Sequence, residues 1–208
     1  MTFRFVLAAA LATLTPLPAI AQTETPPPAE APHALVHVTL TTTAGPIVIA
    51  LEKDRAPIST ANFLHYVDTG RFDGIAFYRA MNVAPGTGLI QAGIRDDVRK
   101  LYPPIAHEPT SQTGLSNTDG AISMARYEPG SATADFFLIV GNMAGLDAQP
   151  SQPGVDTAGF AAFGHVEQGM DIVRAILAAP IDPEKGEGVM KGQMIADPVK
   201  IITAKRSD

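Results

Sequence analysis

Cysteine is absent from the 208 residues of this chain, which excludes a disulfide scaffold and a metal site built on thiolates. Tryptophan is also absent and aromatic residues make up only 6% of the chain, so aliphatic side chains and alanine must fill most of the core. Basic residues form no block beyond Lys205-Arg206, and the net charge is −6. Nucleic acids and anionic membranes are therefore disfavoured as partners.

Motifs for metal, hydrolase and dinucleotide chemistry are missing as well. The five histidines show no metal-ligand spacing, and there is no His-Glu-x-x-His motif. No Gly-x-Ser-x-Gly turn is present to carry a nucleophilic serine. Residues 86–93 superficially resemble a dinucleotide-binding loop, but the third glycine comes too late and no helix is predicted after it. We therefore expect neither a metal nor a cofactor.

The first 34 residues have the composition of an export signal followed by a linker. Arg4 precedes a short apolar run, and residues 19–21 (Ala-Ile-Ala) form a small-x-small cleavage signal. These features predict a signal peptide over residues 1–21, cleaved after Ala21, and favour it over a buried N-terminal helix. The proline-rich residues 22–34 predict a disordered linker. Export without cysteines favours the periplasm as the location, with no membrane span after cleavage.

The remaining chain, residues 35–206, predicts one domain, since a hydrophobic content of 46% can build one sizeable core. Apolar and polar residues alternate in short stretches, whereas Pro57 begins one amphipathic helix and a second is predicted near 168–178. About eight short strands with two helices indicate a mainly β fold, a closed eight-stranded antiparallel barrel capped by two α-helices. The predicted strands cover residues 35–41, 47–51, 75–80, 88–92, 120–125, 135–140, 160–166 and 199–204.

The most specific pattern is a pair of apolar strands near 120–125 and 135–140, with Arg126 and Asp135 at their margins. This arrangement resembles the paired-strand signature of the cyclophilins, the β-barrel peptidyl-prolyl cis-trans isomerases. Further matches occur in family order: Phe77-Tyr78-Arg79 resembles the family's Phe-His-Arg, and residues 89–93 resemble the strand ending in Gln-Gly-Gly. The resemblance covers residues 36–204 and is closest to the exported bacterial branch.

The resemblance implies a catalytic arginine and a socket for a proline ring. Arg79 stands at the position of the cation that would stabilise the twisted X–Pro bond, and Gln91 would brace it and hydrogen-bond the substrate backbone. Ala125 and Arg126 stand where the family binds substrate main chain. The resemblance places Leu89, Phe137, Leu146 and Phe160 around the proline ring. It also implies that Phe77 and Asp135 bind substrate.

Several residues depart from the family pattern on the active face. Asp135 replaces a glutamine, and we expect its carboxylate to pair with Arg79 or Arg126. An aromatic wall of the socket would align near Gly88, so that wall is either missing or supplied by Met81 or Val83. Another rim aromatic is replaced by Gly145.

Two functions remain open from the sequence. The first is a peptidyl-prolyl cis-trans isomerase that assists the folding of exported proteins, with proline-containing polypeptides as its partners. The second is a proline-peptide-binding or chaperone-like module with little or no turnover, because Gly88, Asp135 and Gly145 change the pocket. A monomer is expected, because the sequence has no obvious apolar surface stripe.

Overall fold

A computed structural model describes residues 33–95, 97–149 and 157–207. The predicted signal peptide, residues 1–21, and residues 22–32 of the predicted linker lie outside the described part. These two predictions therefore stay predictions.

Alternating apolar residues form the strands of one antiparallel sheet, and most of these strands have one face fully buried. In β1, for example, Val38 and Leu40 on one face are buried whereas Thr39 and Thr41 on the other are not. In chain order the strands are β1 (Leu35–Thr42), β2 (Gly45–Glu52), β3 (Ala76–Ala84), β4 (Thr87–Gly93), β5 (Ala121–Met124), β6 (Phe136–Val140), β7 (Ala162–Gln168), β8 (Ile181–Asp182) and β9 (Met194–Ser207).

The sheet closes on itself, which confirms the predicted eight-stranded barrel. The strands follow the order β1-β2-β7-β5-β6-β4-β3-β9, and β9 then pairs with β1. Closure pairs both edges of the sheet and so leaves no long unpaired strand. The two-residue β8 pairs with the outer part of β9 and was not predicted, because two residues carry no alternation.

Among the described residues three α-helices accompany the barrel, one more than predicted. They are α1 (Pro57–Asp68), α2 (Thr110–Thr113) and α3 (Met170–Leu177). Helix α1 begins with Pro57, and its next two backbone N–H groups donate to the buried carboxylate of Glu108 at 2.9 and 2.6 Å. Helix α2 is a single turn that ends at Gly114 in the left-handed conformation, and it is too short to show a helical period.

Aromatic rings supply the centre of the main core although they are few in the chain. Phe63 of α1 lies 5.1 Å from Phe72, 5.1 Å from Phe136 and 5.6 Å from Phe163, measured between ring centroids. Burial of each such ring contributes roughly 1.5–3 kcal/mol. These contacts pack α1 against the barrel, and α3 adds Val173, Ile176 and Leu177 to the same core. Within the described ranges, none of the helices has the length and apolar character needed to span a membrane.

Candidate active site

Arg79 lies on β3, with its guanidinium held between two glutamine side chains. Its Nη1 donates to Oε1 of Gln91 and its Nε donates to Oε1 of Gln193, both at 2.8 Å. Its Nη2 contacts the sulfur of Met81 at 3.5 Å. Burial lowers the pKa of Arg79 from its ordinary value, but a guanidinium stays protonated in proteins. The site therefore contains a half-buried cation in a fixed orientation.

An extra residue in β3 directs Arg79 away from the core. Phe77 pairs with Ala92 and Arg79 pairs with Gln91, so Tyr78 is inserted between them as a β-bulge. Without the insertion Phe77 and Arg79 would share a face; with it they lie on opposite faces. Phe77 was predicted to bind substrate, and this is corrected: its side chain is fully buried in the main core.

A second apolar cluster, which we call the socket cluster, lies apart from the main core. It contains the four residues predicted to form the proline socket, Leu89, Phe137, Leu146 and Phe160. The rings of Phe137 and Phe160 meet edge to face, with 5.5 Å between their centroids. The other members of the cluster are Met81, Ala121, Ala125, Ile139 and Met143. The structure thus brings residues from five separate stretches of chain into one apolar surface.

Hydrogen bonds among buried polar groups fix the two segments that carry Leu146 and Phe160 of the socket cluster. The fully buried Asn117 donates from Nδ2 to Asp147 Oδ1 at 2.7 Å and to the carbonyl of Phe160 at 3.1 Å. Its Oδ1 accepts from the hydroxyl of Ser123 at 2.6 Å. The backbone N–H of Phe160 donates to the carbonyl of Leu146 at 2.8 Å. Because each of these buried groups has a partner, the positions of Leu146 and Phe160 are well specified.

Ala125 and Arg126, which follow β5, border the socket cluster. The backbone N–H of Ala125 donates to the carbonyl of Asp135 at 2.9 Å and so joins the end of β5 to the start of β6. Arg126 donates from Nε to the carbonyl of Gly159 at 3.0 Å. Its guanidinium carbon lies 4.9 Å from the centroid of the Phe160 ring, within the range of a cation–π contact. Both residues therefore lie next to the socket cluster, and their predicted contact with substrate main chain stays a prediction.

A cavity of about 400 Å³ adjoins the socket cluster, since Ala125 contributes to both. Its lining includes four residues predicted to bind substrate, Gln91, Ala125, Arg126 and Asp135. Other lining residues, which were not predicted, include Tyr78, Arg95, Tyr127 and Met190. We refer to the cavity and the adjoining socket cluster together as the groove.

The expected pairing of Asp135 with Arg79 or Arg126 is corrected, because its hydrogen bonds involve Tyr78 and Gln91 instead. Its Oδ1 accepts from the hydroxyl of Tyr78 at 2.6 Å, and its carboxyl also interacts with the amide of Gln91. Burial raises the pKa of Asp135 above its usual range, although these hydrogen bonds and the charge of Arg95 oppose the shift. The same contact and burial raise the pKa of the Tyr78 phenol, so the phenol remains a hydrogen-bond donor.

The carboxyl of Asp135 fits only because residue 93 is a glycine. A Cβ placed on Gly93 would lie 2.3 Å from the carboxyl carbon of Asp135, closer than any real contact between such atoms. Position 93 therefore has to lack a side chain while Asp135 keeps this conformation.

Two glycines stand where the resemblance places aromatic residues, and the structure distinguishes them. A Cβ on Gly88 would lie 2.1 Å from the carbonyl oxygen of Met81, so no side chain fits there. Met81 packs against the socket cluster, whereas Val83 is 56% exposed, so Met81 supplies this wall. A Cβ on Gly145 would meet open space, so a side chain could be accommodated at this position.

Gln193 is the main residue of this site that the sequence did not indicate. It lies 114 positions from Arg79, in a stretch rich in glycine and lysine with no apolar period. Within the described residues no group of three His, Asp or Glu side chains is arranged to hold a metal ion.

Comparison with protein families matches residues 37–206 to the model described as "Cyclophilin type peptidyl-prolyl cis-trans isomerase/CLD". The chain is 40% identical over 152 residues to peptidyl-prolyl cis-trans isomerase A of Dickeya dadantii, which covers 72% of this chain and 75% of that protein. It is 36% identical over 172 residues to peptidyl-prolyl cis-trans isomerase cyp18 of Streptomyces antibioticus, covering 81% of this chain and 96% of that protein.

Comparison with solved structures finds the same fold. A crystal structure of a cyclophilin type peptidyl-prolyl cis-trans isomerase from Cryptosporidium parvum superposes with a TM-score of 0.66 at 17% sequence identity. The superposition covers 84% of this chain and 99% of that chain. At this identity the likeness concerns the fold alone.

Proposed function

Because this chain belongs to the cyclophilin-type peptidyl-prolyl cis-trans isomerases, we propose that Arg79 carries its isomerase activity by stabilising the twisted X–Pro bond of a bound polypeptide. The observation that supports this role is the position of Arg79. Its Nη2 contacts Met81, which packs against the socket cluster, so the cation lies next to the surface suited to a proline ring.

The proposed chemistry needs only a well-placed cation. Rotation about a peptide bond has a barrier of about 18–20 kcal/mol, because the nitrogen lone pair is delocalised into the carbonyl. At the twisted transition state the lone pair returns to the nitrogen. A cationic N–H donor directed at that nitrogen therefore binds the transition state more strongly than either planar ground state.

The partners of Arg79 suit this role because they are uncharged. In the described part of the chain, its recorded hydrogen-bond acceptors are the amide oxygens of Gln91 and Gln193 and the sulfur of Met81. A carboxylate would orient the guanidinium equally well but would offset its charge. Neutral acceptors fix the orientation and leave the positive charge to act on the substrate.

The socket cluster would receive the proline ring, and the adjoining cavity would take the residues that precede it. The partly exposed Phe160 and Leu146 would contact the ring, and the buried Phe137 and Leu89 support them from below. Burying the ring there fixes the X–Pro bond beside Arg79, which supplies the orientation that catalysis requires.

Exported polypeptides are the substrates that the sequence favours. The predicted signal peptide supports export to the periplasm, where newly arrived chains must complete their folding. Isomerisation of X–Pro bonds is slow enough to limit folding, so an isomerase there would shorten that step. A monomeric enzyme acting on proline-containing segments is sufficient for this role.

The test is an isomerisation assay on a short X–Pro peptide with parent, Arg79→Ala and Arg174→Ala proteins. Arg174 is an exposed arginine of α3 paired with Asp119, and it serves as the matched control. We expect Arg79→Ala to lower kcat/KM by about 10²–10³-fold, because the cation acts only on the transition state, while Arg174→Ala stays near the parent. An Arg79→Ala protein as fast as the parent would refute the proposal.

The glycine at position 145, where the resemblance places a rim aromatic, favours one alternative, a binding module with little turnover. Exchange spectroscopy on a proline peptide separates the two. The enzyme gives cis–trans exchange cross-peaks well above the uncatalysed level, whereas a binding module broadens the peptide signals without creating those peaks.

A further inference from the structure

Arg79 is held from two sides by residues of different elements. Gln91 comes from β4, the strand paired with β3, and a bracing role for it was expected. Gln193 comes from the stretch between β8 and β9, residues 183–193, which we call the connecting segment. This second contact therefore links the arginine to a part of the chain far from the β3–β4 hairpin.

The amide of Gln193 has one orientation that satisfies its neighbours. Its Nε2 lies 2.9 Å from the carbonyl oxygen of Val189, which can only accept a hydrogen bond. The amide oxygen must therefore face Arg79, whose Nε can only donate. The side chain thus presents an acceptor to the arginine without needing to rearrange.

The backbone around Gln193 is also fixed against β3. Its carbonyl accepts from the N–H of Ala80 at 3.0 Å, directly after Arg79, and its N–H donates to the carbonyl of Met190 at 3.1 Å. Gly186 allows the connecting segment to fold closely, since a Cβ there would lie 2.4 Å from the carbonyl oxygen of Met190. The segment is therefore a compact loop docked on the strand that carries the cation.

Two acceptors that bind different nitrogens of Arg79 fix the plane of its guanidinium. Gln193 engages Nε and Gln91 engages Nη1, so the remaining nitrogen, Nη2, is directed toward Met81 and the socket cluster. With Gln91 alone the group could rotate about that single contact. The second acceptor restricts this rotation and keeps Nη2 directed toward Met81, at the edge of the socket cluster.

From this geometry we propose that Gln193 is a positioning residue, supplied by the connecting segment, that holds Arg79 in its catalytic orientation. The inference rests on the proposed role of Arg79. Gln193 touches no reacting atom; it acts by keeping Nη2 aligned with the socket cluster. The connecting segment thereby becomes part of the isomerase machinery.

The experiment compares Gln193→Leu, which keeps bulk but loses the acceptor, with Gln193→Glu, which keeps an acceptor for Nε. Gln168→Ala, an exposed glutamine of β7, is the matched control. Three quantities are measured for each protein: the cis–trans exchange rate of a bound proline peptide, its Kd, and the Nε–H signal of Arg79 by NMR. That signal is assigned by its loss in Arg79→Lys.

We expect Gln193→Leu to slow cis–trans exchange of the peptide about tenfold, because the guanidinium of Arg79 is no longer held in one orientation. The peptide Kd should change less than about twofold, because the socket cluster is intact. Its Arg79 Nε–H should exchange rapidly with water. Gln193→Glu should keep that proton protected and show a rate between Gln193→Leu and the parent, and Gln168→Ala should match the parent in every measurement.

The inference and the proposed function fail in different ways. If Gln193→Leu exchanges the peptide as fast as the parent while Arg79→Ala is slow, Gln193 is not a positioning residue and the role of Arg79 stands. If Arg79→Ala is also as fast as the parent, the role of Arg79 is wrong and the inference falls with it. Loss of peptide binding in Gln193→Leu would also overturn it, as a purely structural effect.

Discussion

Asp135 shows at the scale of one residue how the groove departs from the pattern that the sequence resembles. A carboxyl replaces an amide there, and it lies partly buried between Tyr78, Gln91 and Gly93. Burial disfavours the charged form, so the folded protein binds a proton at this carboxyl more readily than the unfolded chain does.

Because the pKa of Asp135 is raised, its carboxylate should lower the stability of the folded protein at higher pH. Asp135→Asn should remove this loss of stability. Between the unfolded pKa of about 3.9 and the higher folded pKa, the native state binds more protons, so stability due to this group falls as pH rises. The difference in Tm, variant minus parent, should therefore grow from about pH 4 upward and level off above the folded pKa. Thermal unfolding in matched buffers checks this; a difference that is flat or shrinks with pH would contradict it.

The four socket residues could be assigned from the sequence, whereas Phe77 could not. The four socket residues were predicted because each keeps its place in an ordered series of matches, and the structure brings them together. Phe77 was assigned to substrate binding because it belongs to the Phe77-Tyr78-Arg79 match; the bulge at Tyr78, which leaves no pattern in the sequence, places it on the face opposite Arg79.

The β3–β4 hairpin is the element on which the site depends most. It carries Arg79, Met81, Leu89 and Gln91, and its strands approach closely at Gly88. A side chain at position 88 would push against the backbone of β3, which cannot move without breaking its pairing with β4.

Gly88→Ala should therefore lower the free energy of unfolding by about 1–3 kcal/mol, the usual range for overpacking a well-packed region. Gly145→Ala is the matched control, because its Cβ would meet open space and its φ is not positive. Urea unfolding of both variants measures the effect. Equal free energies of unfolding for the two variants would contradict this prediction, because β3 and β4 would then accommodate a side chain at position 88 without loss of stability.

Elements with a clear period could be predicted, and elements without one could not. The eight barrel strands and the longer helices α1 and α3 show alternation or an apolar helical face. The single turn of α2 and the two residues of β8 are too short for either. The connecting segment has no period at all, so its contact with Arg79 depends on tertiary structure alone.

At the scale of the whole molecule, the side chains of the main core, which stabilise the fold, are distinct from those of the socket cluster. The main core contains Phe63 and the buried faces of the barrel, whereas the socket cluster is a smaller group with Phe160 at its partly exposed edge. Because the two clusters consist of different side chains, a substitution in the main core should mainly lower stability. A substitution in the socket cluster should mainly weaken peptide binding.

Phe63→Ala and Phe160→Ala test this separation. Phe63 is 1% exposed, so its removal should cost about 3–5 kcal/mol in the free energy of unfolding while the remaining folded protein still binds a proline peptide. Phe160→Ala should weaken peptide binding by about tenfold, as expected for loss of a central aromatic contact, with a smaller loss of stability. Denaturant unfolding and peptide titration measure both quantities, and parallel losses in both variants would argue against two independent clusters.

The close approach of Asp135 to Gly93 has a consequence for how this groove can diverge. A larger residue at position 93 requires the side chain of residue 135 to move or to be shortened, because a Cβ at 93 would lie 2.3 Å from the carboxyl carbon of Asp135. Redesign of the groove that enlarges position 93 should therefore vary position 135 in the same library.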